Sequence, residues 1–146
     1  MKSFTLLTLG FGLVSAAAVE PRATPQTVHL TFHGGPAQYT MAFPADGVKR
    51  NTNNNIAVNI IDAPDYNALQ NCQFYTAGEK TLVGSITSTG LTQILVGPPQ
   101  PILAVSCQGF CLPNYSSCYD THGQYVGDCC NGYCAATKCR PWVNPF

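Results

Sequence analysis

The sequence predicts an all-β protein in which a disulfide-tied β-sandwich precedes a small disulfide-rich domain. Two observations lead to this prediction. Over residues 27–108, apolar and polar residues alternate in short runs separated by Gly, Pro, Asn and Asp, as in strands that bury one face. Over residues 111–139, six of the eight cysteines crowd into a stretch too short to bury a core of its own, so crosslinks must hold it together.

About seven short strands, with turn signals roughly every 8–12 residues, are typical of a sandwich or open barrel. The predicted strands are Val28 to Phe32, Tyr39 to Phe43, Ile56 to Ile60, Cys72 to Tyr75, Leu82 to Ile86, Thr92 to Val96 and Ile102 to Cys107. Glycines and prolines mark the turns, at Gly34-Gly35-Pro36 and at Gly97-Pro98-Pro99. Lys49 to Asn55 is predicted to be a polar loop, and Asp62 to Gln70 a loop or short helical turn.

Cys72 and Cys107 are the only cysteines outside the C-terminal cluster, and we expect them to pair. Their bridge would tie the fourth strand to the last one, and such bridges typically stabilise a domain by about 2–4 kcal/mol. Residues 27–108 would then form one domain. Because three residues separate Cys107 from Cys111, the second domain must lie against the end of the sandwich.

The cysteine cluster has gaps of six, ten, zero, three and four residues. Neighbouring cysteines do not easily pair with each other, so Cys129 and Cys130 need different partners. Spacing alone leaves fifteen connectivities open for six cysteines. A zinc site is the alternative use of these thiols, and we disfavour it because a secreted chain meets an oxidising environment.

The spacing with CC-x3-C at its centre resembles the inhibitor cystine knot, or knottin, family. That resemblance implies the pairs Cys111–Cys130, Cys118–Cys134 and Cys129–Cys139 in a domain over residues 109–146. The chain as a whole is similar to fungal small secreted cysteine-rich proteins, through its signal peptide, its Asn-rich strand region, the Val96-Gly97-Pro98-Pro99 turn before Ser106-Cys107, and the appended knot. Many proteins of this kind act as effectors on host plants or in defence.

Residues 1–18 have the pattern of a secretory signal peptide: Lys2, an apolar core over Phe4 to Val14, and Ala16-Ala17-Ala18 as a cleavage site. Residues 19–26 are predicted to be a flexible lead-in. The apolar run is too short for a membrane span. The formal net charge is zero, which argues against nucleic-acid or anionic-membrane partners.

The sequence lacks the common catalytic motifs, and with all cysteines paired it has no thiolate nucleophile, so we expect no enzyme activity and no cofactor. His29 and His33 share one face of a strand, yet no neighbouring acidic residue or cysteine completes a ligand set, so we expect exposed polar residues and no metal. Asp62 and Asp65 are interpreted as loop-capping residues, and His122 as a solvated turn residue.

Aromatic residues concentrate in the cysteine-rich domain, and a domain with so little core must expose several of them. The candidate binding residues are Tyr115, Tyr119, Tyr125, Tyr133 and Trp142. The alternative is that these rings cover the disulfides and fill the contact with the sandwich. Asn114 begins a glycosylation sequon whose occupancy would block the first loop of the domain. The Lys49-Arg50 pair is either a processing site or, as we prefer, part of a solvated loop.

These features predict a secreted, extracellular, monomeric binding protein, effector-like or toxin-like, with a host or competitor target. Its partner would be an extracellular protein or a cell-wall polysaccharide. One alternative is a carbohydrate or cell-wall binding module that uses the aromatic residues. Another is a knottin-type protease inhibitor, although the first loop, Leu112-Pro113-Asn114-Tyr115, offers no basic anchor to a trypsin-like enzyme.

Overall fold

The computed structural model describes residues 24–142; the predicted signal peptide and most of the lead-in lie outside this range. The described chain is nearly all β, as predicted. Its elements are β1 (Thr27–Gly34), β2 (Ala37–Pro44), β3 (Arg50–Asn51), β4 (Val58–Asp62), α1 (Ala68–Asn71), β5 (Cys72–Tyr75), β6 (Thr81–Ile86), β7 (Thr92–Gln100), β8 (Ala104–Cys107), β9 (Tyr133–Ala135) and β10 (Lys138–Arg140).

Two antiparallel sheets form the sandwich. One has five strands in the order β2-β1-β4-β7-β6, and the other has three in the order β3-β8-β5. Their inner faces share one buried cluster, in which the ring of Phe32 on β1 meets the edge of Phe74 on β5 at a centroid distance of 6.4 Å. The prediction of a sandwich is therefore confirmed.

Alternation along the strands decides which side chains enter this core. On β1, Val28, Leu30 and Phe32 are buried, and the residues between them point to the other face of the sheet. On β7, Ile94 and Val96 are buried whereas Leu95 between them is exposed. The period of two residues that predicted the strands is the same period that builds the core.

The predicted turn at Gly97-Pro98-Pro99 is wrong, because β7 continues through it to Gln100. Proline lacks the N–H that a central strand needs, but pairing of β7 with β6 ends at Thr81↔Gly97. Pro98 and Pro99 therefore lie beyond the part of β7 that pairs with β6, so their missing N–H groups break no hydrogen bond to that strand. Pairing with β4 resumes at Val58↔Gln100 after a register shift.

The predicted loop over Lys49 to Asn55 contains the two-residue strand β3, which pairs with β8. The two terminal guanidinium nitrogens of Arg50 each donate to the Asp46 carboxylate at 2.8 Å, and the Lys49 ammonium lies 4.1 Å from the centroid of the Tyr75 ring. Arg50 is thus half-buried against the sandwich, whereas Lys49 remains exposed, as expected for a solvated loop.

All eight cysteines form disulfides, and the pairs are Cys72–Cys107, Cys111–Cys130, Cys118–Cys134 and Cys129–Cys139. They are the pairs expected from the sequence and the resemblance. The first pair links neighbouring positions of β5 and β8. The other three lie in residues 109–142, called the cysteine-rich module below, where β9 and β10 form a hairpin.

The cysteine-rich module packs against one end of the sandwich. Cys111 and Cys130 belong to the same buried cluster as the sandwich core. The Gln26 side-chain oxygen accepts the Cys111 N–H at 3.0 Å, and the Tyr66 hydroxyl donates to the Gly109 carbonyl at 2.9 Å. The two parts of the chain therefore share buried residues as well as a short linker.

Candidate functional site

A groove lies where the cysteine-rich module meets the sandwich, and it encloses a cavity of about 520 Å³. We call it the aromatic groove. Its sandwich wall comes from the α1 region, β6 and the start of β7, and its other wall comes from the module. The principal side chains that line it are Asn67, Leu69, Gln70, Ser85, Ile86, Thr92, Tyr125, Asp128, Tyr133 and Trp142.

The β9–β10 hairpin positions the largest aromatic surface of the groove. Tyr133 begins β9, and Trp142 follows the end of β10. Their ring centroids are 5.6 Å apart with an interplanar angle of 38°, and the two residues remain 47% and 42% exposed. Gly132 is required before Tyr133, because a β-carbon there would collide with the carbonyl of Arg140. The hairpin thus holds two partly exposed rings next to each other.

Tyr125 reaches the groove from the long loop of the module. Its ring meets Tyr119 edge-on at 5.5 Å, and the two residues form an isolated β-bridge. Its hydroxyl donates to the Asp128 carboxylate at 2.5 Å, and this hydrogen bond raises the pKa of the Tyr125 phenol. The contact fixes the position of both side chains at the rim.

Asn67 supplies a nearly buried amide to the opposite wall, with only 9% of the residue exposed. Its Oδ1 accepts a hydrogen bond from Asn71 Nδ2 at 2.7 Å. Within residues 24–142 its own Nδ2 donates to no partner. The fully buried side-chain atoms without a partner in this range are Tyr39 Oη and Asn59 Oδ1, so Asn67 Nδ2 keeps access to solvent. The groove therefore contains a free donor.

The groove carries little charge. Among residues 24–142, Asp128 is the single charged residue that lines it, and no lysine, arginine or histidine does so. The remaining polar groups are amides and hydroxyls. Such a surface combines aromatic faces with neutral hydrogen-bonding groups, which suits an uncharged polar ligand.

Three of the five candidate binding residues come together here, namely Tyr125, Tyr133 and Trp142. Tyr119 contacts Tyr125 but is not among the residues that line the groove. Tyr115 lies elsewhere, in the turn closed by the Ser116 N–H to Pro113 carbonyl hydrogen bond. The three rings in the groove are between 42% and 52% exposed, which favours their role as contact surface over their alternative role as filling.

Sequence reasoning missed the sandwich side of the groove. Asn67 and Gln70 lie in a segment predicted only as a loop or helical turn, and Ser85 lies on a strand. A polar residue in such a place carries no signal of binding by itself. Only the docking of the cysteine-rich module places these residues opposite the aromatic rings.

The glycosylation sequon is separate from the aromatic groove. Asn114 is exposed and borders a smaller cavity of about 250 Å³ together with Gln26, Asp65 and Asn131. A glycan on Asn114 would therefore cover the first loop of the module, as expected from the sequence. The aromatic groove does not include Asn114 among its lining residues.

The two histidines on β1 are not lone polar residues. His29 Nδ1 lies 2.5 Å from Asp65 Oδ2, and His33 Nε2 lies 2.6 Å from Asp62 Oδ2. Gln93 Nε2 also donates to Asp62 at 2.7 Å. Pairing of β4 with β1 places Asp62 near His33, and the loop that follows β4 brings Asp65 to His29. The two aspartates therefore bond to the histidines, whereas we expected loop-capping residues, and each histidine has one acidic neighbour.

Metal-binding potential in residues 24–142 is confined to one group of three possible ligands. The sulfur atoms of Cys118, Cys129 and Cys139 lie within 4.8 Å of one another. Each of them is part of a disulfide and therefore lacks the thiolate that binds a metal. The three sulfur atoms lie close together because the disulfides Cys118–Cys134 and Cys129–Cys139 pack against each other.

No protein-family model, curated protein or solved structure matches this chain. Among residues 24–142, no helix is both long and apolar enough to cross a membrane.

Proposed function

We propose that this chain is a secreted, non-enzymatic binding protein, effector-like or toxin-like, that recognises an extracellular host or competitor target through the aromatic groove. The observation that carries the proposal is the set of three exposed rings in one cavity of about 520 Å³. Ligand sites commonly have volumes of about 300–1,000 Å³ and aromatic walls with a few polar groups.

Secretion is supported by the disulfides and by the sequence. Four disulfides with no free cysteine are typical of proteins from oxidising compartments. Residues 1–18 have the pattern of a signal peptide. The pairing of first to fourth, second to fifth and third to sixth cysteine in the module supports its assignment to the knottin type. The separate resemblance of the whole chain to fungal small secreted cysteine-rich proteins supports a fungal source.

Binding fits the groove better than catalysis does. Its titratable side chains include Tyr125 and Asp128, which hydrogen-bond to each other and approach no lining serine or threonine in the manner of a base and its nucleophile. The pairs His29–Asp65 and His33–Asp62 are not among the residues that line the groove. Rigid rings held by crosslinks lose little conformational freedom on binding, which favours affinity.

Protease inhibition has less support from the geometry. The Leu112 N–H donates to the Asp128 carbonyl at 2.7 Å, and the Leu112 carbonyl accepts the Cys130 N–H at 2.8 Å. The next residues fold into the turn between Pro113 and Ser116. The first loop is therefore bonded to its own module, whereas a substrate-like loop needs free backbone groups to pair with a protease.

The proposal is tested by labelling the full-length secreted protein with a fluorophore and applying it to intact plant tissue and to fungal and bacterial cells. We expect it to decorate at least one of these surfaces. Trp142→Ala and Tyr133→Ala should each weaken binding to the decorated surface about tenfold, because truncating a side chain that anchors a ligand commonly costs about 1–3 kcal/mol of binding free energy. Tyr115→Ala is the matched control, since Tyr115 is an exposed ring of the same module outside the groove.

Retained decoration by both groove variants would contradict the proposal, as would the loss of decoration in the Tyr115 control. Thermal melting of each variant separates a binding defect from unfolding. Decoration of no surface at any concentration would contradict it as well.

A further inference from the structure

We propose that the ligand of the aromatic groove is a neutral oligosaccharide, as found in cell-wall polysaccharides. This inference rests on the function proposed above and names the ligand class of the same site. It follows from three independent properties of the groove: its ring platform, its unpartnered amide and its lack of cationic groups.

The platform formed by Tyr133 and Trp142 suits sugar rings. Both residues are nearly half exposed, and their centroids lie 5.6 Å apart at a tilt of 38°. A pyranose has a face of C–H groups that packs on an aromatic face, while its hydroxyls remain free at the edge. Two adjacent rings therefore offer contact to successive units of a chain, with the large buried area that aromatic residues provide.

Asn67 supplies a hydrogen-bond donor for the hydroxyl groups of the sugar. Its Oδ1 is engaged with Asn71, and its Nδ2 faces no acceptor within the described chain. Because this donor has no acceptor in the described chain and keeps access to solvent, a ligand oxygen can accept its hydrogen bond without breaking a hydrogen bond of the protein. Sugar hydroxyls accept and donate hydrogen bonds, so the same ligand also suits Gln70 and Ser85.

The charge of the groove restricts the ligand to neutral sugars. Acidic glycans and phosphorylated ligands are normally bound by arginine or lysine, and neither is among the described residues that line the groove. Asp128 would repel a uronate or sulfate. A protein partner is the competing ligand class. Stable protein–protein interfaces commonly bury about 800 Å² of surface on each partner, whereas this site is a concave groove lined by both aromatic and polar side chains.

The experiment is a titration of the isotope-labelled full-length protein, followed by amide NMR shifts and calorimetry. The probes are oligosaccharides of chitin, cellulose, β-1,3-glucan and mannan, with oligogalacturonate as the acidic control. We expect at least one neutral series to bind and to shift the amides of Gln70, Ser85 and Tyr133. Oligogalacturonate should bind at least tenfold more weakly.

Variants connect the binding to the groove. Trp142→Ala should weaken binding about tenfold or more. Asn67→Asp keeps the acceptor for Asn71 and replaces the free donor by an oxygen, so it should also weaken binding while the protein remains folded. Tyr115→Ala should bind as the wild type does.

The inference is overturned if no neutral oligosaccharide binds, if acidic and neutral probes bind equally, or if Trp142→Ala leaves binding unchanged. Decoration of cells that depends on Trp142 would still uphold the proposed function in that case and point to a protein partner. Loss of groove-dependent decoration would instead overturn the proposed function itself.

Discussion

Asp128 shows how one residue serves both the structure of the cysteine-rich module and its groove. Its backbone carbonyl accepts the Leu112 N–H at 2.7 Å, and its carboxylate accepts the Tyr125 hydroxyl at 2.5 Å. The carboxylate is also the only charge that the described part of the chain contributes to the groove lining. The side chain that places the Tyr125 ring therefore also sets the electrostatic preference of the site.

The hydrogen bond between Tyr125 and Asp128 leads to a prediction about alkaline titration. Because the carboxylate raises the pKa of Tyr125, Asp128→Asn should lower that pKa toward its usual value. The stabilisation of the folded protein by this hydrogen bond is present below the pKa of Tyr125 in the unfolded chain and disappears as pH rises through its pKa in the folded protein. Both groups face solvent, so we expect less than about 1 kcal/mol.

Ultraviolet absorbance of tyrosinate measures the effect, and Tyr125→Phe identifies which transition belongs to Tyr125. Identical titration curves for the wild type and Asp128→Asn would show that the hydrogen bond does not form in solution.

At the scale of strands, the sequence predicted what depends on local alternation and missed what depends on distant pairing. Val28, Leu30 and Phe32 identify β1 because each step of two residues returns to the buried face. The extension of β7 to Gln100 and the strand β3 depend on partners about forty or more residues away in the chain, Val58 and Val105, so no local pattern predicts them.

The same division holds for the candidate site. Tyr125, Tyr133 and Trp142 were predictable because a module with little core exposes its rings. Asn67 was not, since its exposure to a ligand arises only when the module docks beside α1. The pairing of the histidines with Asp65 and Asp62 was missed because it joins residues 36 and 29 positions apart in the sequence.

The attachment of β3 leads to a prediction about acid stability. Hydrogen bonds from the Arg50 guanidinium hold the pKa of Asp46 well below its usual range. The resulting stability is present above the unfolded-state pKa and is lost as pH falls through the folded-state pKa. Asp46→Asn should therefore lower the urea midpoint at pH 7, and the difference from wild type should vanish in strong acid.

Urea unfolding at several pH values measures this difference. Asp120→Asn is a comparison in an exposed turn with no basic partner among its hydrogen bonds. A pH-independent difference for Asp46→Asn would contradict the electrostatic explanation.

At the scale of the whole molecule, the cysteine-rich module and the sandwich depend on each other. Cys111 and Cys130 are 4% and 6% exposed and belong to the sandwich's buried cluster. Cys118 is also buried, but it lies outside that cluster. The groove needs both parts, since its rings come from the module and its free amide comes from the sandwich.

This arrangement predicts that the three module disulfides differ in what they stabilise. Cys111–Cys130 and Cys118–Cys134 close loops of similar length, with separations of 19 and 16 residues. By the chain-entropy argument each disulfide stabilises the folded state by about 3 kcal/mol, so any large difference between them must come from packing.

Replacing Cys111 and Cys130 with alanine should lower protection of the sandwich amides against hydrogen exchange and detach the module. Replacing Cys118 and Cys134 should loosen the module and leave β1 and β7 protected. Equal loss of protection in β1 and β7 for the two double variants would show that the shared cluster does not couple the module to the sandwich.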